Sequence, residues 1–184
     1  EIVNRIGVNL VGPTLIAHGT DEQKRRFLPE IMPAGGIWCQ LFSEPGAGSD
    51  LTGLRTRAER RGDGWVVNGQ KVWTSYAQFA RWGILLARTD PDAPKAKGIS
   101  FFVCDMQAPG VTIRPLRQMT GSDEFNEVFL EDVFIPHAHL VGRENEGWSI
   151  ANTTLTHERG TSPRQLGLPR TLLQDLLRLA RDGA

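Results

Sequence analysis

The residues best equipped for chemistry lie in one run, Gln40-Leu41-Phe42-Ser43-Glu44-Pro45-Gly46-Ala47-Gly48-Ser49-Asp50. The run follows a strand from Ile37 to Phe42, breaks at Pro45, turns through two glycines and closes on a hydroxyl and a carboxylate. Glycine lets a ligand approach the main chain closely, and successive N–H groups in a tight turn form a concavity for anions. A flavin or nucleotide pyrophosphate is the class of ligand such a turn holds. Taken alone, the turn fits a plain surface loop better, because Pro-Gly and Gly-Ala-Gly punctuate many loops. A dinucleotide fingerprint is excluded, since Leu51 stands where its third glycine belongs, and no Gly-Lys-Ser/Thr follows to make a triphosphate loop.

Other reactive side chains read more simply. His18 has no His, Cys or carboxylate at metal spacing and is expected to pack or cap. Cys39 and Cys104 each sit in an apolar strand-like run, where buried free thiols are expected, in keeping with a reducing compartment. Twenty-one basic and 21 acidic residues balance, so nothing points to nucleic acid or an anionic membrane surface. No apolar segment is long enough to span a bilayer. The opening Glu1-Ile2-Val3-Asn4-Arg5 has neither an initiator Met nor a signal-peptide pattern and reads as the middle of something, so a fragment is expected.

The elements that must position the run follow from periodicity. Residues 2–19 read as a helix end running into Gly12-Pro13, then a short helix through His18. Thr20 and Gln23 form a capping box for a helix carrying Phe27, Leu28 and Ile31, which Pro33 and Gly35-Gly36 should end. From Ile37 the period turns strand-like. Trp65-Val66-Val67 and Gln70-Lys71-Val72-Trp73 flank Asn68-Gly69, a strong hairpin signal. Trp82–Arg88, Ile99–Cys104 (apolar on both parities, hence buried on both faces), Val111–Leu116 and Glu127–Ile135 complete about seven strands. Helical pattern returns from Gly147 to Arg159, is interrupted by Pro163 and Pro169, and resumes over Arg170–Arg181 with leucines in register for a core. The expected fold class is α+β: an antiparallel β-sandwich or barrel-like middle domain flanked by partial all-α domains.

Four stretches in the same order and spacing resemble the acyl-CoA dehydrogenases: residues 37–50, Asn68 to Ser75, Gly121-Ser122 with Glu127 to Pro136, and Gly142 to Gly147. The resemblance covers roughly residues 5–162. It implies the end of an N-terminal helical domain over 1–36, a flavin-binding middle β domain over 37–144, and the start of a C-terminal helical domain over 145–184. It also implies FAD as cofactor and an acyl-CoA thioester as substrate. A carboxylate removes the α-proton, and the β-hydrogen leaves as hydride to flavin N5, giving the trans-2-enoyl-CoA. Residues 40–49 then line the flavin and its pyrophosphate. The Phe42 main chain and the Ser43 hydroxyl bond the ring edge, Gly48 belongs to the phosphate turn, and Ser49 meets cofactor phosphate or acyl-CoA. Trp73, otherwise a core tryptophan, packs on the ring and Ser75 reaches N5. Gln40 replaces a frequent aromatic, and serines 43 and 75 replace threonines while keeping the hydroxyl. Trp38, Trp65, Trp82 and Trp148 are left to core or rim.

The family places its catalytic glutamate in one of two regions, one beyond this chain, the other on the helix matching residues 148–159. Glu158 holds the second position, with Arg159 beside it to steer carboxylate or thioester; an exposed Glu-Arg pair on a helix surface is the plain alternative. The resemblance further implies electron-transfer flavoprotein as acceptor, a dimer or tetramer (homo- or hetero-oligomeric), and a cytoplasmic location, or the mitochondrial matrix in a eukaryote. The alternatives are a same-fold acyl-CoA oxidase or flavin monooxygenase, a noncatalytic subunit of a hetero-oligomer, and a generic β-sandwich binding module.

Overall fold

The computed structural model describes residues 4–32, 36–159 and 163–182; within them eight strands form one sheet, with helices packed at both ends of the chain. The strands are β1 (Trp38–Leu41), β2 (Arg57–Arg61), β3 (Gly64–Ser75), β4 (Trp82–Arg88), β5 (Ile99–Asp105), β6 (Val111–Leu116), β7 (Phe125–Pro136) and β8 (Leu140–Val141). They run across the sheet in the order β6-β7-β3-β2-β4-β5-β8, with β1 paired to β4 off that path. Pairing is antiparallel except at β4, where β1 and the single Arg57–Arg88 pair of β2 run parallel. The α+β class read from sequence stands, with a mixed sheet at its centre.

Strands β4 and β5 are apolar on both parities because both faces are covered. Ile84, Leu86, Phe101 and Val103 join a core with Phe27, Ile31, Ile150 and Ala151 from the helices. Leu85, Phe102 and Cys104 point the other way, into a core with Trp65, Val67, Val128 and Ile135. Cys39 and Cys104 are buried free thiols, and Trp38, Trp65 and Trp82 are core, as expected.

The helices are α1 (Gly12–His18), α2 (Asp21–Ile31), α3 (Gly147–Arg159) and α4 (Pro163–Asp182). The capping box of α2 is present: Thr20 Oγ1 accepts from Gln23 N at 3.2 Å, and Gln23 Oε1 accepts from Thr20 N at 3.0 Å. The Gln23 amide also donates to the carbonyls of Ala138 and Leu140, both at 2.8 Å, fastening α2 to the sheet. Thr14 and Thr154 share a buried bond of 2.8 Å that fixes α1 against α3, and His18 meets Thr153 at the same distance. His18 is therefore a packing residue, and no cluster of metal ligands occurs among the described residues. No described helix is long and apolar enough to cross a membrane.

Several local expectations are corrected. Asn68-Gly69 is no hairpin turn: β3 runs through it, pairing with β7 from Gly64–Pro136 to Ser75–Phe125. Asn68 spends its amide on Asp132, donating to Oδ1 and accepting from the main-chain N–H, both at 2.9 Å. Gly69 is required by contact, since a Cβ there collides with Thr56. The turn lies instead at Gly62-Asp63, between the paired Arg61 and Gly64, where Gly62 supplies a φ of +57°. Strand β2 escaped notice because only Ala58 of Arg57–Arg61 is buried.

Gly12-Pro13 does not divide the first helical stretch: a π-helical turn (Gly7–Val11) runs directly into α1. The wider turn precedes the proline, whose missing N–H leaves a carbonyl without its usual donor. The expected stop of α2 at Pro33 and Gly35 falls outside the described residues, as does the opening 1–3. Pro163 opens α4, where a first-turn proline sacrifices no helical bond, and Pro169 lies inside it at the cost of one such bond, so neither ends the helix. The α4 leucines 172, 173, 176, 177 and 179 stand exposed, with no described residue covering them.

Candidate functional site

A cleft of about 540 Å³ opens where the end of β1, the turn after it, the last residues of β3 and one face of α3 converge. Its lining includes Gln40, Phe42, Ser43, Gly48, Ser49, Trp73, Ser75, Glu158 and Arg159, together with Ile6, Leu51, Val72, Phe125, Trp148, Asn152 and Leu155. Every site residue singled out from sequence thus falls in one place, although Gln40 and Glu158 lie 118 positions apart.

The turn wall is rigidly made. Glu44 and Ala47 exchange main-chain bonds of 2.9 and 3.0 Å across Pro45-Gly46. The N–H groups of Gly48 and Ser49 bond no described residue and remain donors for a ligand. Beneath the turn lies an ion pair that sequence reasoning missed. Lys71, fully buried, donates from Nζ to Glu44 Oε1 at 2.9 Å and to the Phe42 carbonyl at 3.1 Å. Glu44 also accepts the main-chain N–H groups of Arg55 at 2.6 Å and Thr56 at 2.9 Å. Burial pushes Lys71 down to about 8, against the opposing pull of Glu44. Burial also opposes the Glu44 carboxylate, but the Lys71 charge and the Arg55 N–H hold it below its ordinary value. The available signal was the lysine itself, a charge inside a strand otherwise read as core.

The β3 wall is shaped by a register break between Lys71 and Thr74 against β7. Such a bulge re-aims a side chain. Here it gives Trp73 a φ of +59° and leaves its indole 60% exposed on the cleft, edge-to-face with Phe125 at 6.0 Å. A bulky residue in left-handed backbone is strained and persists only where its surroundings impose it. Trp73 is therefore no core tryptophan. The hydroxyls of Ser43 and Ser75 are half-buried and bond no described residue, so two donors face the same cleft as a flat aromatic wall.

The third wall is α3, whose residues 148, 152, 155, 158 and 159 recur at helical spacing and so share one face. Glu158 is exposed at the rim, and the Gln40 carboxamide donates to its Oε2 at 3.4 Å. A carboxylate, a guanidinium, a flat aromatic, free hydroxyls and main-chain donors are the equipment for binding a large, planar, phosphate-bearing group next to a proton acceptor. The set fits a flavin nucleotide: an aromatic face for the ring, hydroxyls for its polar edge and N–H donors for phosphate.

The model of the acyl-CoA dehydrogenase middle domain matches residues 39–133. The chain belongs to the acyl-CoA dehydrogenase family. Acyl-CoA dehydrogenase FadE34 of Mycobacterium tuberculosis (strain ATCC 25618 / H37Rv) is 55% identical over 175 residues, 92% of this chain and 24% of that protein. Among solved structures, the Tcur3481-Tcur3483 steroid ACAD superposes with a TM-score of 0.88 at 39% identity, covering 96% of this chain and 46% of that one. The ChsE4-ChsE5 complex from Mycobacterium tuberculosis gives a TM-score of 0.79 at 44% identity, covering 86% and 41%. This acyl-CoA dehydrogenase chain thus spans about a quarter of FadE34 and under half of the two solved chains.

Proposed function

We propose that this chain is the cofactor-binding core of an FAD-dependent acyl-CoA dehydrogenase that converts an acyl-CoA thioester to its trans-2-enoyl-CoA. One observation carries the reading: the residues expected to hold flavin and those expected to act on substrate line a single cleft. When bound, FAD supplies the hydride acceptor. The protein supplies orientation and electrostatics. Trp73 offers its indole face to the ring, Ser43 and Ser75 donate hydrogen bonds to its polar edge, and Gly48 and Ser49 turn N–H groups toward phosphate. Glu158 is the proton acceptor for the α-carbon, with Arg159 beside it to steer the carboxylate or the thioester. Likeness to the Tcur3481-Tcur3483 steroid ACAD favours a bulky polycyclic acyl group, and likeness to the ChsE4-ChsE5 complex favours hetero-oligomeric assembly. Electron-transfer flavoprotein is the proposed acceptor. Residues 37–144 act as the β domain, and the flanks belong to helical domains.

A second reading, a noncatalytic subunit of a hetero-oligomer, draws on the exposure of Glu158 at the rim, where a base is better enclosed. The full-length protein containing this chain separates the readings. A yellow preparation that bleaches anaerobically with steroid-type acyl-CoA, faster than with straight-chain thioesters, is the expected result. A yellow preparation that no thioester bleaches favours the noncatalytic subunit. One that stays colourless with added FAD contradicts the flavin site. Rapid reoxidation by oxygen points to an oxidase instead.

A further inference from the structure

We propose that Lys71 is a positioning residue of the cofactor cleft, holding the main chain of residues 42–44 in register with residues 72 and 73 from beneath. The inference rests on the flavin reading above and adds a residue outside the cleft lining.

Lys71 is fully buried, and its ammonium bridges the Phe42 carbonyl at 3.1 Å and Glu44 Oε1 at 2.9 Å. One residue further along β3, Val72 N donates to the Ser43 carbonyl at 2.9 Å. Phe42, Ser43, Val72 and Trp73 all line the cleft, so these bonds lie directly behind its wall. Glu44 extends the fastening to the chain at 55 and 56 by accepting two main-chain N–H groups. A buried ion pair is a poor choice for stability alone, since well-packed apolar residues of the same volume usually do as well or better. What the pair supplies is direction: charge-assisted bonds with narrow geometry, set next to a bulge and a Pro-Gly turn that the Val72–Ser43 main-chain bond also joins. The depressed ionisation of Lys71, near 8, makes the fastening sensitive to alkali.

The test uses the full-length protein. FAD dissociation constants are measured by flavin fluorescence from about pH 6.5 to about pH 9 for wild type, Lys71→Met and Lys71→Met/Glu44→Gln, with apoprotein melting followed in parallel. The double variant is expected to keep its apoprotein melting temperature within a few degrees and yet bind FAD roughly tenfold more weakly. Wild-type affinity should fall as the pH passes about 8, and the double variant should show no such fall. Unchanged affinity in the variants overturns the proposal, and so does a wild-type profile that is flat or matched by the double variant. If neither variant folds, the wild-type profile decides. A wild type that binds no FAD at any pH overturns the flavin reading itself, and this inference with it.

Discussion

The carboxamide of Gln40 reaches across the mouth of the cleft to Glu158, Nε2 to Oε2 at 3.4 Å, joining β1 to α3. The bond is exposed and long, so it steers the carboxylate and adds little energy; an ordinary hydrogen bond nets about 1 kcal/mol. In the full-length protein Gln40→Ala should lower kcat/KM for the proposed reaction by no more than about fivefold. Glu158→Gln, which keeps shape and removes the proposed base, should lower the rate of flavin bleaching by roughly 10²- to 10⁴-fold with FAD retained. Unchanged bleaching by Glu158→Gln removes Glu158 as base.

Trp73 holds a left-handed backbone, φ +59°, in order to stand on the cleft. Asparagine tolerates that conformation far better than tryptophan. Trp73→Asn should therefore leave apoprotein stability equal or higher by up to about 1 kcal/mol while weakening FAD binding. Chemical denaturation and flavin titration on one preparation check both halves. A variant less stable than wild type yet equal in FAD affinity makes Trp73 a structural residue.

Much of this architecture is legible in the sequence where local chemistry decides alone. The Thr20–Gln23 capping box, the doubly buried Ile99–Cys104 and the amphipathic α3 need no distant partner to be read. Asn68-Gly69 misleads because its turn signal is overridden by pairing of β3 with β7, the asparagine being taken by Asp132 and the glycine by contact with Thr56. Arg57–Arg61 is hidden for the opposite reason: a strand held by its neighbours' main chains, with one buried side chain, has no hydrophobic period. Of the cleft lining, residue types and family motif singled out nine residues and left out the other seven, Ile6, Leu51, Val72, Phe125, Trp148, Asn152 and Leu155. They did not foretell the positive φ of Trp73, the Gln40–Glu158 contact or the Lys71–Glu44 pair, all of which arise from contacts between segments distant in the chain.

Acid should release the fastening behind the turn. Glu44 is held below its ordinary value of 4.5, so the folded state binds fewer protons than the unfolded chain as pH falls through that region. Its stabilisation is complete above about 4.5 and lost as pH drops through the folded-state value. Lys71, lowered from 10.5 to about 8, has the same sign: between those values the unfolded chain carries a proton the folded state lacks, so this contribution to stability rises with pH. Urea denaturation across pH should show both slopes in wild type, and Lys71→Met/Glu44→Gln should lack them. Lys71→Ala alone leaves a buried carboxylate unpaired and should cost about 3–5 kcal/mol.

Cys39 and Cys104 should be inert while the chain is folded. Burial raises both thiols, Cys104 to about 12, which suppresses the reactive thiolate. A chromogenic disulfide reagent should modify them only at the rate of unfolding, and modification within the mixing time contradicts their burial.

The proposed function requires the cleft built from β1, β3 and α3 to hold a flavin against Trp73. A crystal structure of the full-length protein with FAD bound tests that most directly. The expected result is the isoalloxazine ring stacked on the Trp73 indole, with Ser43 and Ser75 at hydrogen-bond distance from its edge and phosphate at the N–H groups of Gly48 and Ser49. A ring bound elsewhere, with this cleft filled by protein or solvent, contradicts it.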